Sequence, residues 1–172
     1  MKSSRRVALS GVFTALCVTV LFLGSAVTVL DLSSAAVASF VILVALTELG
    51  PGYALGVYAA ASVLTAVLLP NKEPAVYFIL FSGFYPVLKV PLNKIKPKAL
   101  SYAARFAVFD ICAVAAGLVL IYVLNIPAES KWDAALFIIA ANIAFAVYDL
   151  ALERTTLFYL NTLRKHIFGK RR

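Results

Sequence analysis

Six ionisable residues, Glu48, Lys89, Arg105, Asp110, Asp149 and Glu153, stand within or at the ends of long apolar runs. An ionised side chain near the centre of a bilayer costs about 2.5–3.5 kcal/mol or more unless it is paired or faces a hydrated cavity. Such groups can neutralise one another between helices, or a carboxylate among them can relay protons. Asp110 is deepest from either surface, with Lys89 or Arg105 as candidate partners. Asp149 and Glu153, four residues apart, share a helix face, and Arg105 and Arg154 stand at similar depth. A structural or partner-facing network is the expectation, and a proton relay is the alternative.

A second set is different in kind. Asp31, Asn71, Lys72, Glu73, Tyr77, Trp132 and Asn142 lie toward the opposite ends of the runs, with Phe81, Tyr122 and Asn125 nearby. Ligand sites combine apolar and aromatic walls with a few placed polar groups, and these residues fit that description as candidate substrate-binding groups. An interfacial aromatic belt with ordinary loop polarity has the same composition. Asn142 stands out, because an amide about nine residues, or ~13 Å, down a helix needs a hydrogen-bonding partner. A ligand or a neighbouring helix could supply it.

The constellations of enzymes are missing from the sequence. The only histidine, His166, belongs to a basic tail. There is no Gly-x-x-x-x-Gly-Lys-Ser/Thr loop, no Gly-x-Ser-x-Gly elbow and no His-Glu-x-x-His. Cys17 and Cys112 fall inside apolar runs as small packing groups, with no Cys-x-x-Cys. No catalytic residue, metal or cofactor is expected, so any transport must draw on an ion gradient or on a partner.

The elements that must position these groups follow from hydropathy. Of 172 residues 63% are hydrophobic and 14% charged, with a mean hydropathy of +0.95, beyond what the core of a soluble domain needs. The net charge of +8 does not indicate nucleic acid, because the basic residues cluster at the ends of apolar runs rather than on a polar face. The expected fold is all-α, a six-helix integral membrane bundle forming one domain, with helices over 7–23, 35–49, 53–69, 75–90, 99–125 and 134–163. Residues 24–34 are diluted enough by polar groups to surface or to form a re-entrant cap. Gly50-Pro51-Gly52 breaks the chain tightly, Pro70 to Pro74 forms a turn, and Pro86 is expected to kink the fourth helix.

The stretch Lys89-Val90-Pro91-Leu92-Asn93-Lys94-Ile95-Lys96-Pro97-Lys98 fixes direction, since lysine-rich short loops are retained on the cytoplasmic side. Of the sixteen Lys and Arg, all but Lys72 and Lys131 then fall on that side, with both termini. The expectation is a multi-pass protein of the cell membrane, in contact with lipid. Lys2, Arg5 and Arg6 before an apolar run superficially resemble a signal peptide. The run is longer than the usual ~7–15 residues, so it reads as a retained first helix.

That helix begins Arg5-Arg6-Val7-Ala8-Leu9-Ser10-Gly11-Val12-Phe13-Thr14-Ala15. Ala8, Gly11 and Ala15 let another helix approach closely, either within the bundle or as a docking groove for a separate subunit. Here the chain resembles the substrate-binding S components of energy-coupling factor (ECF) transporters. Those are six-helix proteins whose first helix opens with a basic residue and a small-x-x-x-small motif, the place taken by Gly11-Val12-Phe13-Thr14-Ala15. Gly50-Pro51-Gly52-Tyr53-Ala54-Leu55-Gly56 is similar to the family's Gly-Pro turn. Glycine replaces the first alanine of the motif, and no vitamin-specific signature is present.

The resemblance implies a bacterial plasma-membrane subunit that captures a small water-soluble vitamin or precursor near the outer face, capped by the connection between helices 1 and 2. Helix 1 would dock onto a transmembrane coupling subunit driven by a pair of ATPases. Two rivals remain: a stand-alone proton-coupled carrier using Asp110 and Asp149, and a non-catalytic membrane scaffold.

Overall fold

The computed structural model describes residues 3–124 and 131–159, with side chains for all of these except residue 28 and residues 131–137. Six helices follow in order: α1 Ser3–Ser25, α2 Asp31–Leu49, α3 Pro51–Leu68, α4 Glu73–Leu92, α5 Lys98–Tyr122 and α6 Lys131–Phe158. The first five are long and apolar enough to cross a membrane, and the protein is a multi-pass, all-α membrane bundle.

Because lipid is as apolar as leucine, helices in a bilayer associate through close packing of small residues rather than by escaping water. Buried positions, many of them small, recur at spacings of three and four. On α2 they are Ala35, Ala38, Ile42, Ala45 and Leu49; on α1, Thr14, Cys17, Leu21 and Gly24; on α3, Ala54, Val57, Ala61 and Thr65. This spacing draws a seam along a helix and suits left-handed crossing. α2 is the hub: it packs against α1, α3, α4 and α6. One core cluster joins α1, α2, α3 and the first part of α4, and a second joins α2, α4 and α6 through Leu43, Tyr85, Phe145 and Leu152.

The two ends of the bundle differ in charge. The Arg6 guanidinium lies over the Tyr53 ring at 5.9 Å, tying the start of α1 to the start of α3. Lys94 and Lys96, in the connection from α4 to α5, and Lys98, which opens α5, share this basic end by alternation of the helices. Asp31 accepts hydrogen bonds from the Asn71 amide at 3.2 Å, tying the α1–α2 and α3–α4 connections together at the opposite end.

Two expectations are corrected. The connection within residues 24–34 surfaces but is shorter than expected and leaves no room for a re-entrant cap: α1 continues to Ser25, a 3₁₀ turn with exposed Val29 and Leu30 spans Thr28–Leu30, and Asp31 opens α2. Two hydroxyls of this stretch bond back within the helices, Ser25 Oγ donating to Phe22 O at 2.8 Å and Ser34 Oγ to Asp31 O at 2.9 Å, so polarity there does not force the chain out of helix. Gly24 is buried there because the helices nearly touch; a Cβ on it would come within 2.2 Å of Ser34 Cβ.

The bend of α4 lies before Pro86 rather than at it. A π-helical turn spans Phe78–Ser82, and Pro86 sits in the first turn of the restarted helix Tyr85–Leu92, where its missing N–H costs nothing. Tyr58 supports the bend from α3, its hydroxyl donating to Ile79 O at 2.7 Å while its ring covers Gly83. The sequence leaves the small residues of α1 open between internal packing and a docking groove. Ala8, Gly11 and Ala15 are all exposed, and a Cβ on Gly11 would meet nothing within 4 Å.

The Gly50-Pro51 break forms as read. Gly50 adopts φ 93°, a backbone that favours glycine, and Pro51 starts α3. The sixth run, expected to reach 163, is described to 159, and the basic tail with His166 lies outside the described residues.

Candidate functional site

Between α2, α4, α5 and α6 lies a cavity of about 300 Å³. α2 contributes Leu32, Ser33 and Ala36, and α4 contributes Tyr77, Phe81 and Ser82. Ala116 and Gly117 of α5 and Ala141 and Ala144 of α6 form smooth walls. Phe109, Phe145 and Tyr148 line it from the basic side. These residues recur at i, i+3, i+4 and i+7 on α6 (Ala141, Ala144, Phe145, Tyr148), which places one face of the helix toward the space. Among the described residues no charged side chain lines it.

The floor is a dense aromatic group. Phe109 and Phe145 stack with centroids 4.5 Å apart and planes 7° from parallel, and Phe81 meets both edge-on at 5.2 and 5.7 Å. Edge-to-face and offset pairs match the negative ring face to a positive ring edge, which holds the rings in register. Tyr148 is fixed by donating its hydroxyl to Ser39 Oγ at 2.7 Å. Tyr85, fully buried, underlies Phe81, Phe145 and Tyr148 at 4.8–5.9 Å.

Tyr85 also reaches the ionic layer. Asp149 Oδ1 accepts from the Tyr85 hydroxyl at 2.6 Å and from Lys89 Nζ at 2.7 Å, while Oδ2 accepts from Arg105 Nη1 at 2.8 Å. Lys89 also donates to the Asp149 backbone carbonyl at 2.6 Å. Arg105 donates to Asn93 Oδ1 and to Ser101 Oγ, and lies over the Tyr102 ring at 4.7 Å. Lys89, Arg105 and Asp149 are only 7, 6 and 5% exposed, so α4, α5 and α6 are bound together by a buried cluster of two cations and one carboxylate.

This assigns the inner charges differently from the sequence expectation. Lys89 and Arg105 take Asp149, not Asp110. Asp110 instead accepts from the Asn142 amide at 3.1 Å on an exposed face of α5 and α6. Glu153 and Arg154 are exposed. Tyr85, Ser101 and Asn93 were not singled out, although helical spacing marks two of them: Tyr85 lies four residues before Lys89 and Ser101 four before Arg105.

The candidate binding residues separate into groups. Tyr77 lines the cavity. Asp31 neighbours Leu32 and Ser33 of its wall, and Glu73, one turn before Tyr77, is within electrostatic range of both Tyr77 and Asp31. Asn71 joins them, its amide on Asp31 and its Oδ1 accepting from the Glu73 N–H at 3.1 Å. Lys72 is turned away: its ammonium caps α3, donating to Leu69 O at 2.6 Å and Val67 O at 3.3 Å. Asn142 does not line the cavity; besides Asp110 it bonds Ile138 O at 3.0 Å. Trp132 opens α6 in the chain, but its side chain lies outside the described residues, as does Asn125.

Chemically, the arrangement can hold an apolar, ring-like body against aromatic faces. Among the described residues no group of three His, Cys, Asp or Glu converges as metal ligands would. Compared with protein-family models, with curated proteins and with solved structures, the chain matches none.

Proposed function

We propose that this chain is the substrate-capture subunit of an ECF-type uptake transporter for a vitamin-like micronutrient in a bacterial plasma membrane. The cavity carries this reading: it lies in the half of the bundle toward the acidic end, and its floor is closed by rings and ions. By the positive-inside rule the basic end is cytoplasmic, so the cavity belongs to the outer half. A pocket on one side with no path below it binds a solute and does not conduct it.

The exposed seam Ala8, Gly11 and Ala15 supports the same reading, since small residues left on the surface are free to receive another helix. That helix would come from a transmembrane coupling subunit energised by an ATPase pair. The rival proton-coupled carrier needs Asp149 free to exchange protons, whereas Asp149 is held by Tyr85, Lys89 and Arg105.

The test is reconstitution. Purified full-length protein screened by thermal shift against water-soluble vitamins and precursors is expected to be stabilised by one of them, and liposomes containing this protein alone to accumulate none. Uptake without ATPase partners, driven by a pH gradient, overturns the reading in favour of the carrier.

A further inference from the structure

The walls of the cavity restrict what it can take, and this inference rests on the capture reading above. Its volume of about 300 Å³ is at the low end for ligand sites, enough for a one- or two-ring compound. Ala116 and Ala144 leave flat, shallow sides, while Phe81, Phe145 and Tyr148 present ring faces and edges. Stacking on such rings adds attraction beyond that of burial alone.

Charge decides the rest. A carboxylate or phosphate brought into this space meets no cation among the described residues of the lining, and desolvating an unpaired anion is among the costliest steps in binding. Of the two basic residues at that end, Lys72 is spent on the carbonyls of α3, and the Lys131 side chain lies outside the described residues. The carboxylates of Asp31 and Glu73 stand beside Tyr77 and repel an approaching anion. Lys89 and Arg105 lie beneath the aromatic floor and are bound to Asp149.

We infer that the ligand is a planar aromatic compound that binds in a neutral or cationic form, and that its carboxylated or phosphorylated relatives are refused. The hydroxyls of Ser33, Tyr77 and Ser82 on the walls are polar groups that ring heteroatoms can meet.

The experiment uses three probes with one ring system and different charge: indole, tryptamine and indole-3-acetate, in equilibrium dialysis against the full-length protein in nanodiscs. Tryptamine and indole are expected to bind at least tenfold more tightly than indole-3-acetate, and Glu73→Gln to narrow the gap between tryptamine and indole-3-acetate. Ala144→Phe, which fills the space, should abolish binding of all three while the thermal melt of the protein is retained. Equal or tighter binding of the anion overturns the charge rule. Binding of non-aromatic vitamins, blocked by Ala144→Phe, with no binding of the ring probes overturns the aromatic class but leaves capture standing. Absence of binding by every ring probe and every vitamin overturns both.

Discussion

At the scale of single residues, Asp149 has the largest stake in the structure. It offsets both Lys89 and Arg105 in a buried layer, and it also accepts from Tyr85. Removing one member of a buried pair costs about 3–5 kcal/mol, because the surviving charges stay buried without compensation. Asp149→Asn keeps the shape and loses the charge, so its thermal melt in nanodiscs should fall well below that of the native protein. Asp110→Asn, at an exposed pair, should melt close to it. The sequence showed that the inner charges would find one another but not who pairs with whom. Asp110 and Asp149 are both carboxylates in apolar runs, and their difference lies in helix rotation: Asp149 faces inward between α4 and α5, Asp110 outward. Rotation is set by distant packing, here by Phe145 and Leu152 locking α6 against α2 and α4.

At the scale of elements, the number of helices and the breaks between them were legible because hydropathy and the Gly50-Pro51 and Pro70–Pro74 signals act locally. The shortness of the α1–α2 connection was not, because Ser25 and Ser34 bond back onto their own helices and resemble loop residues in composition only. The bend in α4 was misplaced for a similar reason. Proline announces itself in sequence, whereas a π turn depends on Tyr58 arriving from α3 to take up a carbonyl. The close approach of α1 and α2 makes a prediction at this scale. Gly24→Ala places a methyl against Ser34 and should destabilise the hairpin by about 1–3 kcal/mol, read as a lower melting temperature. Ser34→Gly in the same molecule should recover part of the loss, since it removes the atoms that clash.

At the scale of the whole molecule, the proposed function gives two surfaces separate duties. The cavity was only partly legible: Tyr77 and Phe81 were recognisable as aromatic groups near polar ones, but Ala116, Gly117, Ala141 and Ala144 carry no mark that distinguishes a hollow from a tight helix contact. The seam on α1 was legible as a small-residue pattern, and only the fold showed that it faces away from the bundle. Gly11→Leu with Ala15→Leu should therefore leave the melt and ligand binding nearly unchanged, within about 0.5 kcal/mol as for other surface changes. The same variant should abolish ATP-driven uptake when the coupling subunit and ATPases are present. Unimpaired uptake would remove α1 from the interface.

The clustering of the first core along the chain bears on biosynthesis. Its buried members run from Cys17 to Phe78, so α1, α2 and α3 can settle against one another while α5 and α6 are still on the ribosome. The late pair must then find a site already built, and until it does, Lys89 waits at the membrane without its counter-ion. A nascent chain stalled after α4 is thus the stage at which an insertase or quality-control protease would have most to recognise.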